Sequence, residues 1–125
     1  MINFIYIAII FLLLDYIYLS LILPFFIEMI LKIQGESMKV RHIPTILCYT
    51  LLIFSYYYFI DKDKKSLLDS FLLGICIYGV YDLTNYATIK NWDYRFVILD
   101  TMWGGILYTL INIILKKLNN IQTIN

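Results

Sequence analysis

Histidine, cysteine, proline, arginine and alanine are all sparse in this 125-residue chain. With one histidine, there is no histidine cluster of the desaturase type. With two cysteines, Cys48 and Cys76, neither a disulfide framework nor a metal-ligand spacing can be assembled. Both fall inside apolar segments, where small buried packing residues are expected. No glycine-rich phosphate loop and no nucleophile motif occurs. Charge is close to balanced, ten basic against nine acidic residues, and no basic stripe runs along any segment. A nucleic-acid partner is therefore not expected.

What fills the chain is apolar surface. Hydrophobic residues make up 62% and the mean hydropathy is +0.78, against about 45–50% apolar in an ordinary soluble domain. A soluble fold of this length could not cover so much apolar area, whereas lipid solvates it. The expectation is a single all-α, multi-pass integral membrane protein whose partner is the bilayer. The first apolar run lacks a basic flank and a cleavage motif, and exceeds a signal peptide's core. It reads as the first membrane helix.

Four spans follow, at about 2–23, 43–60, 67–89 and 96–115. Pro24 is expected to break the first, leaving Phe25–Ile33 as an interfacial stretch with Glu28 and Lys32. Pro44 suits the first helical position of the second span. The charged turn 61–66 ends in Ser66, a cap for the third span with Asp69 three residues on. Lys90–Arg95 forms a hairpin whose aromatics suit the interface. Lys116 and Lys117 are expected to stop the fourth span, with 118–125 a short disordered polar tail. The domain is thus 1–117.

Three of these spans carry a carboxylate: Asp15, Asp82 and Asp100. An ionised carboxylate at mid-membrane costs about 2.5–3.5 kcal/mol on insertion scales, so it faces a partner, a cavity or water. Counting from the shared face of the 24–42 and 90–95 loops, at ~1.5 Å per residue, all three lie on the order of 6–12 Å deep. His42 opens the second span on that face. Helical phase collects Tyr78, Tyr81, Asp82, Asn85 and Ile89 on one stripe, Asp100, Trp103, Gly104 and Leu107 on another, and Phe11, Asp15, Tyr18 and Ile22 on a third. Gly74, Gly79 and Gly104-Gly105 permit close helix approach. The expected intramembrane polar site is Asp15, Asp82, Asn85, Asp100, Trp103, Tyr78 and Tyr81, with Tyr18, Thr84, Thr88 and His42 secondary.

Tyr78-Gly79-Val80-Tyr81-Asp82-Leu83-Thr84-Asn85-Tyr86-Ala87-Thr88 resembles the signature of a family of small predicted membrane proteins, domain of unknown function twenty-one seventy-seven. Leu99-Asp100-Thr101-Met102-Trp103-Gly104 and Leu14-Asp15-Tyr16-Ile17-Tyr18 are similar to its other two motifs. Pro44 and Tyr49 resemble a proline and aromatic pattern in its second helix. Tyr18 and Ser20 depart from it, standing where tryptophan and glycine are usual. The resemblance implies a four-helix membrane protein and marks Asp15, Asp82, Asn85, Asp100 and Trp103 as family positions, without naming an activity.

Three functions fit these residues. A small transporter-like protein would bind a proton or small cationic solute at the carboxylates. Its four short helices and early carboxylate resemble small multidrug exporters by analogy, although their motifs are absent, and four helices enclose so little volume that a homo-oligomer is expected. An intramembrane lipid-modifying enzyme, or its accessory subunit, would use the carboxylates and His42 for acid–base or metal chemistry. A structural or assembly protein would use the polar core only for helix packing. Cofactor and substrate are not specified by the residues. Neither is orientation, because Lys32, Lys39, Arg41, Lys90 and Arg95 on one face tie with Lys62, Lys64, Lys65, Lys116 and Lys117 on the other.

Overall fold

The computed structural model describes residues 2–124, with side chains described for 3–122. Among these residues there are four long helices and no strand: α1 (Ile2–Gln34), α2 (His42–Tyr56), α3 (Leu67–Thr88) and α4 (Tyr94–Ile124). α1, α3 and α4, and α2 together with the turn that extends it to Asp61, are long and apolar enough to cross a membrane. The chain is an all-α, multi-pass membrane bundle.

Several boundaries depart from those expected, each for a physical reason. The α1 helix does not break at Pro24 but runs straight through it. Proline withdraws one backbone bond, yet in a long apolar run an unwound backbone would find no water to satisfy it. At 33 residues and ~1.5 Å per residue, α1 is longer than the ~30 Å hydrocarbon layer. Its last turns, with the exposed pair Lys32–Glu28 at 3.8 Å, therefore reach the membrane face. Gly35 then stops it in the left-handed conformation (φ +73°), its N–H closing onto the Leu31 carbonyl.

Pro44 is the third residue of α2, not the first. It still lies in the opening turn, where no backbone N–H is needed. The α2 helix ends in one wide π-turn, Tyr57–Asp61, which turns Ile60 and Asp61 inward. Ser66 caps α3 as expected, accepting from the Asp69 N–H at 3.1 Å. At the far end, α4 continues through Lys116-Lys117 to Ile124 instead of ending in a disordered tail. Lysines are good helix formers, and neither glycine nor proline follows to stop the helix. Residue 125 lies outside the described residues.

Two apolar clusters hold the bundle. One gathers Ile7, Phe11, Ile53, Tyr56, Ile60, Leu107, Tyr108, Ile111 and Leu115. The other gathers Met29, Trp92, Phe96 and Val97 beneath the α3–α4 hairpin. Trp92 is thus a buried wedge between Phe26, Tyr81 and Phe96, rather than the interfacial aromatic expected of that hairpin. Cys48 and Cys76 are both exposed, contrary to the expectation of buried packing residues. Lipid accepts a thiol on the outer face as readily as it accepts an aliphatic side chain.

The closest helix pair is α3 with α4, and glycine is the reason. A Cβ on Gly74 would stand 2.1 Å from the Gly104 carbonyl oxygen, and one on Gly104 would strike the Tyr78 ring at 2.4 Å. At the end of this pair nearer the termini, the Asn112 amide donates to the Lys65 carbonyl (3.1 Å), the Ser66 carbonyl (3.3 Å) and Ser70 Oγ (2.8 Å). This side chain ties α4 to the capped start of α3. Asn112→Ala is expected to cost about 1–3 kcal/mol by withdrawing the donor from the Lys65 carbonyl and the buried Ser70 Oγ, while the Ser66 carbonyl keeps its bonds from Ser70. The measurement is a lower unfolding temperature in detergent.

Candidate functional site

The three carboxylates lie between the two apolar clusters, Asp15 between Phe11 and Ile22 along α1 and Asp100 between Phe96 and Leu107 along α4. All are buried: Asp15 is 6% exposed, Asp100 7% and Asp82 0%. Their surroundings differ, and the difference defines the site.

Asp15 is fully braced. One carboxylate oxygen accepts from the Trp103 indole N–H at 3.0 Å, and the other accepts from the Tyr49 hydroxyl. Asp100 accepts one bond, from the Tyr18 hydroxyl at 2.8 Å. Tyr18 and Trp103 stack face to face, their ring centroids 4.7 Å apart and their planes 5° from parallel. The stacked pair therefore cross-links the two acids: each ring donates to a different carboxylate, so neither ring can turn without releasing one. Asp82 stands apart. Its carboxyl lies within hydrogen-bonding reach of that of Asp100, so a proton shared by the two acids is the one partner open to it; no other group among the described residues donates to either oxygen.

The other expected residues divide. Tyr78 packs beside Trp103 and Tyr49 on the apolar cluster, over the space left open by Gly104. Tyr81 is 52% exposed, with its ring edge-on to Trp92, and Asn85 is half-buried one turn further along α3. Tyr78 and Tyr81 rim the layer. Thr84 and Thr88 are exposed, and the Thr88 hydroxyl is spent on the Thr84 carbonyl at 2.8 Å. His42 is exposed at the start of α2 and bonds to no carboxylate among the described residues. Tyr49 is the site residue that the helical-phase reading missed. Counting seven residues in from His42 places it at the depth of Asp15, a signal present in the spacing.

No group of three or more metal-ligating His, Cys, Asp or Glu side chains occurs among the described residues. The arrangement instead offers three buried carboxyls, Asp15 with two donors, Asp100 with one and Asp82 with none but a proton shared with Asp100, beside the stacked Tyr18 and Trp103 rings.

A family profile described as "Predicted membrane protein (DUF2177)" matches residues 1–115. The chain belongs to the DUF2177 family. That membership agrees with the four apolar helices and with a bilayer environment. No curated protein and no solved structure gives a significant match.

Just above the layer, Asp93 and Arg95 form a bidentate ion pair on the membrane face. The Asp93 carboxylate accepts from the Arg95 backbone N–H (2.8 Å), Nε (3.1 Å) and Nη2 (2.7 Å). These bonds hold the Asp93 carboxyl below the usual carboxylate range. A depressed value means that the pair supports the fold above the ordinary carboxylate range and releases Arg95 only as pH falls below it.

Proposed function

We propose that this DUF2177 chain is a transporter-like membrane protein whose carboxylate layer binds a proton or a small cation. The observation that carries this reading is Asp82, fully buried, facing a second carboxyl and with no donor among the described residues other than a proton the two acids would share. A polar core serving only helix packing has its hydrogen-bonding groups paired, because each orphaned group destabilises the bundle. Asp15 fits a packing role, held by Tyr49 and Trp103. Asp82 does not.

A positive species between Asp82 and Asp100 removes the repulsion and supplies the absent partner. The enclosed geometry favours a proton or a small dehydrated cation over an organic solute, since Asp82 is wholly buried. Tyr18, bonded to Asp100 and stacked on Trp103, is positioned as the group that yields when the occupant enters or leaves.

The test uses the full chain in liposomes holding an internal pH dye, with an imposed membrane potential and, in parallel, sodium or potassium gradients. A potential- or gradient-driven signal above empty liposomes is expected, and Asp82→Asn combined with Asp100→Asn is expected to lower it about tenfold or more. A signal that survives Asp15→Asn, Asp82→Asn and Asp100→Asn together would overturn the reading.

A further inference from the structure

A second feature lies at the membrane face above the carboxylates, independent of them. The end of α1 and the α3–α4 hairpin enclose an open groove of about 620 Å³ lined by Lys32, Tyr86, Asn91, Trp92, Asp93, Tyr94 and Arg95. An adjoining hollow of about 110 Å³ shares Lys32, Asn91, Asp93 and Arg95 and adds Glu28. The main groove has the size of a ligand site, and its position is that of the lipid headgroups, where the apolar helices end.

We propose that this groove binds the headgroup of a zwitterionic phospholipid, a phosphodiester carrying an ammonium group. The Arg95 guanidinium is held in place by Asp93 on one edge and by the Phe25 ring at 5.4 Å beneath it. Nη1 has no bond among the described residues, which leaves a fixed donor for a phosphate oxygen. Lys32 stands 3.8 Å from Glu28, beyond hydrogen-bond distance, so its ammonium retains all three donors. Lys32 and Arg95 against Asp93 give the main groove one net positive charge, matching a phosphodiester monoanion. Glu28, in the adjoining hollow, faces the ammonium end. Tyr86 and Tyr94 supply the exposed aromatic walls that favour the membrane interface, with the buried Trp92 behind them. The indole N–H of Trp92, buried behind that wall, has no acceptor among the described residues. A free phosphate would use the same cations but neither Glu28 nor the aromatic wall.

Native mass spectrometry of the full chain, released from nanodiscs of mixed phosphatidylethanolamine and phosphatidylglycerol, tests this assignment. The wild type is expected to retain phosphatidylethanolamine preferentially. Lys32→Gln with Arg95→Gln is expected to lower retention about tenfold, and Glu28→Gln to erase the preference while retaining phospholipid. Lys62→Gln, on the opposite face, is the control and is expected to change nothing. Because Lys32 is exposed and distant from the core, Lys32→Gln alone reports even if the Arg95 variant folds poorly. Equal retention of both lipids by the wild type, unchanged retention in the Lys32 and Arg95 variants, an equal loss in Lys62→Gln, or displacement by millimolar inorganic phosphate would each overturn it. The carboxylates take no part in this readout, so either reading can fail alone.

Discussion

Asp82→Leu is expected to raise the unfolding temperature of the detergent-solubilised chain while abolishing its proton or cation signal in liposomes. Leucine repeats the branching of aspartate with methyl groups in place of oxygens. At a fully buried position with no donor other than a proton shared with Asp100, the carboxyl brings the penalty of an unsatisfied polar group, about 1–3 kcal/mol and more when charged. Removing it is expected to stabilise by a similar amount. Asp15→Leu is expected to do the reverse, because the half-buried Trp103 indole and Tyr49 hydroxyl would then lose their acceptor. Thermal unfolding of the two variants side by side gives the measurement, and opposite signs are the expected result. If both variants lower stability equally, Asp82 is a packing residue and the functional reading of the layer is lost. If Asp82→Leu is more stable and still conducts, the stored instability has a different purpose.

The pairing of destabilisation with function at Asp82 also separates what the chain discloses by its residues from what only packing decides. The four spans were legible because long apolar runs dominate every weaker local signal. Helical rise converts counting into distance, and it put Asp15, Asp82 and Asp100 at one level; in the structure the stacked Tyr18 and Trp103 link Asp100 to Asp15. Azimuth was not legible. Tyr81 shares the stripe of Asp82, yet it lies half-exposed against Trp92, while Tyr49, from a helix with no carboxylate, reaches Asp15. The rotation of each helix about its axis is set by its neighbours, and here the glycine contacts between α3 and α4 set it. Pro24 and Lys116 misled for a related reason. Both are helix-ending signals in water, whereas a backbone in lipid has no partner other than its own next turn. The exposed Cys48 and Cys76 follow the same logic, since inside and outside are both apolar in a membrane bundle.

Gly74→Ala is expected to be the most disruptive single-methyl change in the chain, and it tests how the site depends on helix packing. The added Cβ would stand 2.1 Å from the Gly104 carbonyl oxygen and 2.6 Å from its carbon. These are backbone atoms, so no rotamer change relieves the clash and α3 must move away from α4. Overpacking typically costs about 1–3 kcal/mol, occasionally more, and a backbone obstacle belongs at the upper end. Gly79→Ala supplies the comparison: its Cβ would meet only the Thr101 side chain, the methyl at 3.3 Å and the hydroxyl at 3.9 Å, so a shift of a few tenths of an ångström in one side chain, not in backbone, accommodates it. Near-wild-type stability is expected there, and a sharp fall in unfolding temperature for Gly74→Ala. Function should follow the same order. Asp82 rides on α3 and Asp100 on α4, so separating these helices opens the carboxyl pair and admits water, which then solvates each acid independently. A Gly74→Ala protein that remains inserted but loses ion or proton movement would tie the glycine contact to the carboxyl pair through distance alone. Equal behaviour of the Gly74 and Gly79 variants would instead mean that the two helices slide freely, and that the contact between Asp82 and Asp100 is not maintained by the glycine seam.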